Sequence, residues 1–241
     1  MSEIKPYEDE EGKKKQVAKM FDNIAWKYDF LNRFLSLGID RRWRKRAIRL
    51  LAKDRPSKII DVATGTGDVA IEIAKQLPDA KVTGVDIANK MLEIGRKKLQ
   101  KRKLDDRVTL VYGDSEALDA ADNTYNAATV AFGVRNFENL EKGLDEIYRV
   151  LKPGGKVVIL EFSKPRMFPL KQGFNLYFRY ILPFIGRITS KDPKAYKYLY
   201  ESVQVFPDYE RFEHVLQKCG FKNTNYKSLT AGICCIYEGE K

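Results

Sequence analysis

Short apolar runs alternate with amphipathic stretches between residues 58 and 161. In the amphipathic stretches the apolar positions recur at helical spacing, whereas the short runs, bounded by turn residues, favour strands. The predicted strands are 58–62, 81–86, 108–112, 127–131 and 156–161, and the helices between them include 68–76 and 89–101. This alternation is typical of a parallel sheet with right-handed crossovers. We therefore expect an α/β fold.

The best-defined helix of the pattern precedes the fifth strand. Its apolar face consists of Leu140, Leu144, Ile147, Tyr148 and Leu151. The Pro153-Gly154-Gly155 turn stops this helix, because proline and two glycines cannot continue it favourably. The fifth strand is therefore expected to start after this turn.

Both ends of the chain add to this core. Residues 13–52 have the helical spacing of three segments, and the third segment carries a basic run at 41–46. Residues 164–206 interrupt the rhythm and are rich in aromatic and cationic side chains, which predicts an inserted helical segment that covers the active site. A helix at 209–218 precedes strands 223–228 and 232–238, an antiparallel hairpin at the sheet edge. We expect a single domain over residues 1–241.

Composition narrows the class of protein. With 241 residues and 44% hydrophobic side chains, the chain can bury one sizeable core. The formal charge of +11 indicates anionic partners, either nucleic acid or a membrane surface. The beginning of the sequence lacks the apolar core of a secretory signal, and no apolar run is long enough to span a membrane. Three cysteines without C-x-x-C spacing predict neither disulfides nor a metal site, and we expect a reduced, cytoplasmic environment.

The candidate chemistry begins at the turn after the first strand. Asp61-Val62-Ala63-Thr64-Gly65-Thr66-Gly67-Asp68 connects this strand to the first helix of the sheet. Gly65 and Gly67 allow a tight turn and close approach of the backbone to a ligand. Asp86 ends the second strand, where it could accept hydrogen bonds from both hydroxyls of a ribose, and Asp114 follows the third strand, where it could meet an exocyclic amine. These positions predict a nucleoside site.

A dinucleotide site would use the same residue types. Residues 65–70 fit G-x-G-x-x-[GA], and an acidic residue follows at the distance that NAD binding requires. However, a carboxylate at Asp61 would repel a pyrophosphate, which needs the open helix N-terminus. S-adenosylmethionine has no phosphate, and its amino and sulfonium groups are cationic. The acidic surroundings therefore favour S-adenosylmethionine as the cosubstrate.

The sequence also resembles the family of menaquinone and ubiquinone C-methyltransferases over nearly its whole length. The blocks that carry the resemblance are Phe21-Asp22, 25–29, 61–68, 122–124, Phe132-Gly133-Val134-Arg135-Asn136, 149–165, 198–202 and 229–232. The glycine motif marks only the wider superfamily of class I S-adenosylmethionine-dependent methyltransferases, which have a Rossmann-like, mostly parallel sheet. The 132–136 block and the Leu-Glu-Phe-Ser-Lys-Pro block at 160–165 are far more specific.

The resemblance implies methylation of a ring carbon of a polyprenylated quinol, converting demethylmenaquinol to menaquinol. The benzoquinol of ubiquinone biosynthesis is the alternative substrate, and a homodimer is compatible with the family. In the family pattern Thr66, Asp86, Asp114 and Ser115 contact the cofactor, beside Asp61, Gly65 and Gly67 of the loop. Ala131 departs from the pattern, because many members have Ser or Thr there.

Three residues are the candidates for catalysis. Arg135 lies in a loop at the carboxyl edge of the predicted sheet, and its permanent charge could stabilise a phenolate. Asn136 could hold a water or the second quinol oxygen, and Tyr28 could reach over the site from the N-terminal helices. Alternatively, Arg135 forms an ion pair with a neighbouring helix and Tyr28 belongs to the core. No metal is required, since a methyl sulfonium is already electrophilic.

Other interpretations remain open. The positive charge would suit RNA methylation, but an Asn/Asp-Pro-Pro-aromatic tetrad is missing after the fourth strand, where Ala131-Phe132-Gly133-Val134 stands. A non-catalytic module that binds S-adenosylmethionine is the third possibility. His214, on an exposed helix face, and the Cys234-Cys235 pair, in an edge strand, are expected to be structural. The inserted segment is expected both to roof the site and to touch the membrane peripherally.

Overall fold

The fold is centred on a seven-stranded sheet in a computed structural model that describes residues 4–8, 10–181, 192 and 194–241. Its strands are β1 Lys58–Val62, β2 Lys81–Asp86, β3 Val108–Tyr112, β4 Tyr125–Ala131, β5 Leu151–Phe162, β6 Lys222–Leu229 and β7 Cys234–Glu240. They lie in the order β3-β2-β1-β4-β5-β7-β6, and the pairs that β7 forms with β5 and β6 are antiparallel whereas the other four pairs are parallel. The predicted mostly parallel sheet and its final hairpin are confirmed.

Helices cover both faces of this sheet. Their bounds are α1 Lys13–Leu35, α2 Ile39–Leu51, α3 Asp68–Gln76, α4 Asn89–Arg102, α5 Leu140–Val150, α6 Leu170–Leu176, α7 Lys194–Val205 and α8 Glu210–Lys218. Successive strand residues face opposite sides. Ile59 accordingly packs in one core cluster with α2, α3 and α4, and Ile60 packs in another with α5 and α8. Both faces of the sheet are therefore buried under helices.

Several predicted boundaries were wrong. Residues 13–52 form two long helices and not three segments, because Gly38, with φ of 75°, turns the chain between α1 and α2. The fifth strand begins at Leu151, since that residue pairs with Tyr125 across an irregularity in the ladder. The last strand begins at Cys234, after a turn at Thr230–Gly232 in which Ala231 has φ of 52°.

The position of the last strand also differs from the prediction. β7 lies between β5 and β6, so Cys234 and Cys235 are fully buried inside the sheet and not at its edge. Burial raises the pKa of both thiols, which supports a packing role. His214 is exposed on α8, as expected.

The described part of the inserted segment is helical. It contains α6, a π turn at Tyr177–Ile181, and α7. Phe174, Phe178 and Tyr196 of this segment form one cluster with Val17 and Met20 of α1. The remaining apolar and basic positions of the insertion, Leu182, Phe184, Ile185 and Arg187, lie outside the described residues. In the part of the chain that the structure describes, no helix has both the length and the apolar character needed to cross a bilayer.

Candidate active site

The loop after β1 is held by the carboxylate at the end of β2. Asp86 accepts hydrogen bonds from the backbone N–H of Gly65 at 2.7 Å and from that of Ala88 at 2.9 Å. Gly65 has φ of 56°, and a Cβ at this position would meet no atom within 4 Å. Gly67, with φ of 74°, immediately precedes α3. The glycine loop is therefore fixed by a carboxylate and leaves open space above Gly65.

A small cavity of about 60 Å³ lies against this loop. Of the predicted cofactor residues it brings together Gly65, Asp86, Asp114 and Ser115, at the carboxyl ends of β1, β2 and β3. Burial raises the pKa of Asp86, against the effect of its backbone hydrogen bonds. Ala131, which departs from the family pattern, also lines this cavity.

The other predicted cofactor residues lie behind the cavity wall. Asp61 is only 1% exposed and accepts a 2.6 Å hydrogen bond from Thr64 Oγ1. Burial raises the pKa of Asp61 to about 7, although the Thr64 hydrogen bond acts in the opposite direction. The Thr66 hydroxyl donates to Asp29 Oδ1 at 2.6 Å and accepts from Lys98 Nζ at 2.8 Å. Thr66 therefore ties the loop to α1 and α4.

A lysine that the sequence analysis missed covers the Asp114 carboxylate. Lys14 Nζ in the first turn of α1 lies 2.6 Å from Asp114 Oδ2 and 3.3 Å from Glu116 Oε2. Glu116 is buried, and its Oε1 accepts from the backbone N–H of Glu138 and of Asn139. No local pattern could reveal this contact, because Lys14 is separated from Asp114 by 100 residues.

A much larger cavity of about 970 Å³ lies beside the small one. Its walls come from α1, α2, the inserted segment and the ends of β4 and β5, and they are mostly apolar and aromatic. Phe21, Tyr28, Phe132 and Asn136 line both cavities. Besides four tyrosines (Tyr28, Tyr177, Tyr196 and Tyr198), the polar and charged residues of the large cavity are Asn32, Ser36, Asp40, Arg42, Arg44, Arg135, Asn136 and Thr230. The two spaces thus share a partly polar wall.

Arg135 is held at this wall by a buried carboxylate. Its Nη1 donates to Glu161 Oε1 at 2.7 Å and to the Phe132 carbonyl at 2.6 Å. The side chain of Glu161 is completely buried, and burial raises its pKa against the opposing effect of the Arg135 charge. The partner of Arg135 is therefore at the end of β5 and not on a neighbouring helix. Glu161 lies in the 160–165 block, so the motif contained the signal although its role was not predicted.

Tyr28 reaches the site from α1, as predicted, and is half-buried. Burial raises the pKa of its hydroxyl, whereas a hydrogen bond from Asn32 and the charges of Arg44 and Arg135 lower it. Both guanidinium groups are therefore close enough to act on the same phenol. The structure brings Tyr28, Arg135 and Asn136 together around one cavity.

Comparisons with known proteins agree with this geometry. The sequence model of the ubiE/COQ5 methyltransferase family matches residues 9–241. A demethylmenaquinone methyltransferase of Bacteroides fragilis is 47% identical over 238 residues, which cover 99% of this chain and 97% of that protein. A ubiquinone/menaquinone biosynthesis C-methyltransferase of Geotalea daltonii is 46% identical over 230 residues, with 95% and 97% covered.

Solved structures show the same fold at low identity. A SAM-dependent methyltransferase of Thermotoga maritima superposes with a TM-score of 0.67 at 19% identity, covering 93% of this chain and 99% of that one. The [4+2]-cyclase SpnF gives a TM-score of 0.71 at 16% identity, with 95% and 96% covered. The predicted Rossmann-like methyltransferase fold is confirmed. Since one of these relatives is described as a cyclase, the fold alone does not decide the reaction.

Proposed function

The chain belongs to the ubiE/COQ5 methyltransferase family, and on this premise we propose that it methylates a ring carbon of demethylmenaquinol with S-adenosylmethionine. The products are menaquinol and S-adenosylhomocysteine. The observation that carries the proposal is the contact between two unlike cavities, one acidic and beside the glycine loop, the other large and apolar. They share Phe21, Tyr28, Phe132 and Asn136, where a methyl donor and an apolar acceptor would meet.

The residues of the small cavity fit S-adenosylmethionine, which supplies an electrophilic methyl group when bound. Asp86 has an acceptor oxygen on each side of its carboxylate and can take the two ribose hydroxyls. Asp114 and Ser115 can meet the adenine, provided that Lys14 releases Asp114. Asp61 supplies negative charge behind the loop when the cationic ligand favours its ionised form. Thr66 and Gly67 keep the loop in place. A space of about 60 Å³ must widen for this ligand, and the Lys14 side chain is the obvious part to move.

Arg135 can make the ring carbon nucleophilic. A phenol titrates near about 10, so the reactive phenolate is scarce at neutral pH unless the site stabilises it. The guanidinium of Arg135 has five N–H donors, and its Nη1 is held by Glu161 and the Phe132 carbonyl, so donors remain for a quinol oxygen. Asn136 can bind the same oxygen or a water that takes the proton. The preorganised charge of Arg135 thus favours the anion as it forms.

The large cavity can hold the naphthoquinol ring and the first part of its prenyl chain, because its walls are mainly aromatic and aliphatic. Next to it the insertion exposes apolar side chains: Met167 is 68% exposed, Phe168 79% and Tyr180 58%. Lys171 and Arg179 lie in the same segment. We propose that this surface contacts an anionic membrane peripherally, where the prenyl chain resides, since each basic residue near such a leaflet adds about 1 kcal/mol.

A methyl-transfer assay tests the reaction. Purified protein and methyl-labelled S-adenosylmethionine are offered demethylmenaquinol, the benzoquinol of the ubiquinone pathway, or bulk RNA under reducing conditions. We expect label in the naphthoquinol. His214→Ala is the matched control, because the exposed His214 has no place in this mechanism, and it should keep the wild-type rate. Label only in RNA would contradict the proposal. Preferential labelling of the benzoquinol would identify the benzoquinol, and not demethylmenaquinol, as the substrate.

Flotation with vesicles tests the membrane contact. The double variant Met167→Ser/Phe168→Ser should bind anionic vesicles more weakly than the wild type, because it removes exposed apolar area from the insertion. Tyr112→Ser, which removes an exposed aromatic ring at the end of β3, is the control and should bind normally. Equal and negligible binding of the wild type to anionic and neutral vesicles would remove the membrane role.

A further inference from the structure

The wall of the large cavity contains buried polar atoms that lack hydrogen-bond partners among the described residues. They are Asp40 Oδ2, Arg44 Nε, Arg135 Nε and Asn136 Oδ1. Buried polar atoms in folded proteins nearly always have a hydrogen-bond partner. A cluster of such atoms without one therefore indicates a place where a polar ligand can bind. Arg135 and Asn136 belong to the mechanism proposed above. Asp40 and Arg44, both on α2, do not.

Asp40 and Arg44 form a second polar position in the same cavity. Asp40 is 3% exposed, and its Oδ1 accepts a 2.8 Å hydrogen bond from Ser36 Oγ. Its Oδ2 lies 3.1 Å from Arg44 Nη2. The left-handed turn at Gly38 starts α2 so that Asp40 lies in the first helical turn, facing the space lined by α1. The carboxylate is therefore held by a hydrogen bond at Oδ1, whereas Oδ2 is ion-paired with Arg44 without hydrogen-bond geometry.

The Tyr28 hydroxyl is close to both polar positions, that of Arg135 and that of Arg44. The charges of Arg44 and Arg135 both act on its hydroxyl, and all three residues line the cavity. A quinol has two oxygens on opposite sides of its ring. One ligand can therefore present an oxygen to Arg135 and Asn136 and the other to Asp40 and Arg44.

We infer that Asp40 binds the second hydroxyl of the quinol and makes the site selective for the reduced ring; this inference rests on the proposed function. An ionised carboxylate only accepts hydrogen bonds. A quinol hydroxyl can donate to Asp40 while it accepts from Arg44, whereas a quinone carbonyl can only accept from Arg44 and leaves the carboxylate without a donor. Specificity of this kind is strong, because the wrong ligand leaves a buried polar group unpaired. Selection of the reduced form is required, since only the quinol yields a nucleophilic phenolate.

Arg44 links Asp40 to a second carboxylate, that of Asp68. Arg44 on the same helix pairs with Asp40 and, through Nη1 at 2.9 Å, with Asp68 at the start of α3. Arg33 of α1 lies 3.6 Å from Asp68 and Lys98 of α4 lies 2.6 Å from it. Asp68 does not line the large cavity. It therefore offers a control that changes the Arg44 ion pairs without changing the cavity wall.

Binding measurements on the full chain test the inference. The probes are a short-chain demethylnaphthoquinol and its oxidised quinone, titrated anaerobically into protein saturated with S-adenosylhomocysteine to prevent turnover. The wild type should bind the quinol at least about tenfold more tightly than the quinone, as expected for one hydrogen bond to a charged group. In Asp40→Asn the preference should fall to about threefold or less, since an amide both donates and accepts. Asp68→Asn should keep the wild-type preference.

The preference, as a ratio of two affinities, separates recognition from folding. A merely structural role of Asp40 would weaken both probes alike and leave their ratio unchanged. If Asp40→Asn does not fold, Asp40→Ser gives the same readout, because a hydroxyl also donates and accepts. A wild-type ratio near one, or an unchanged ratio in the variant, overturns the inference and leaves the proposed function in place. If the wild type binds neither the quinol nor the quinone, both the inference and the proposed function are overturned.

Discussion

The raised pKa of Asp61 predicts how the stability of this chain depends on pH. Its carboxyl group is almost completely buried behind the glycine loop, and burial raises its pKa from an ordinary value of 3.8 to about 7. The nearby Asp86 charge acts in the same direction. Between these two pH values the folded chain holds a proton on Asp61 that the unfolded chain has released. The free energy of unfolding must therefore fall as the pH rises through this window.

The size of the effect follows from the pKa. One pKa unit corresponds to about 1.4 kcal/mol, so a rise from 3.8 to about 7 is worth at most about 4 kcal/mol. The stabilisation is fully present below about pH 4 and is lost by about pH 7. Burial also raises the pKa of Asp86 and of Glu161. Both groups contribute in the same direction, so the share of Asp61 must be measured as a difference.

The measurement is urea unfolding of the wild type and of Asp61→Asn at about pH 5 and about pH 8. Asparagine is neutral at both pH values and can still accept the hydrogen bond from Thr64 Oγ1. The stability of the variant relative to the wild type should therefore be greater at about pH 8 than at about pH 5. The difference should be up to about 3 kcal/mol, because only the two pKa units between about pH 5 and about pH 7 are sampled. Asp106→Asn, which changes an exposed carboxyl group, controls for the loss of a negative charge.

The same residue should couple protons to cofactor binding. A cationic ligand beside the loop favours the ionised carboxylate, so S-adenosylmethionine should release a proton at about pH 6, which calorimetry in buffers of different ionisation enthalpy detects. Asp61→Asn should release fewer protons. If wild type and variant share one pH dependence of stability, the buried carboxyl is not the titrating group and the reasoning fails.

Three further predictions concern the two cavities. Asp86→Ala should weaken S-adenosylmethionine binding at least about tenfold in calorimetry, through lost ribose contacts and a looser glycine loop; NAD should show no comparable binding to the wild type. Arg135→Lys should keep cofactor binding but lower the single-turnover rate about 10²-fold or more, and a near-normal rate would exclude Arg135 from the chemistry. Arg149→Lys is the control and should react normally, because Arg149 pairs with Asp122 and Glu146 and lines neither cavity. Lys14→Met should tighten cofactor binding by up to about fivefold, the value of a partly exposed ion pair, whereas the exposed neighbour change Lys15→Met should not.

Local sequence pattern determined the elements of the sheet. The bounds of β1, β2, β3 and α3 agree with the predicted ones, because short apolar runs, helical periodicity and the glycine turn act within a few residues. The acidic residues at the strand ends were also readable, since parallel strands carry their carboxyl ends to one edge. The sequence thus determined that Gly65, Asp86, Asp114 and Ser115 would meet.

Tertiary structure alone decided which distant side chains complete the site. β7 enters between β5 and β6, an order that the local pattern of the hairpin leaves open, and this position buries the Cys234–Tyr237 stretch. Lys14 covers Asp114 because α1 packs on α4, and Asp40 faces the large cavity because α2 packs on α3 and β5. Glu161 holds Arg135 because β4 and β5 are neighbours in the sheet. Such contacts depend on how whole elements pack, and local periodicity carries no information about that packing.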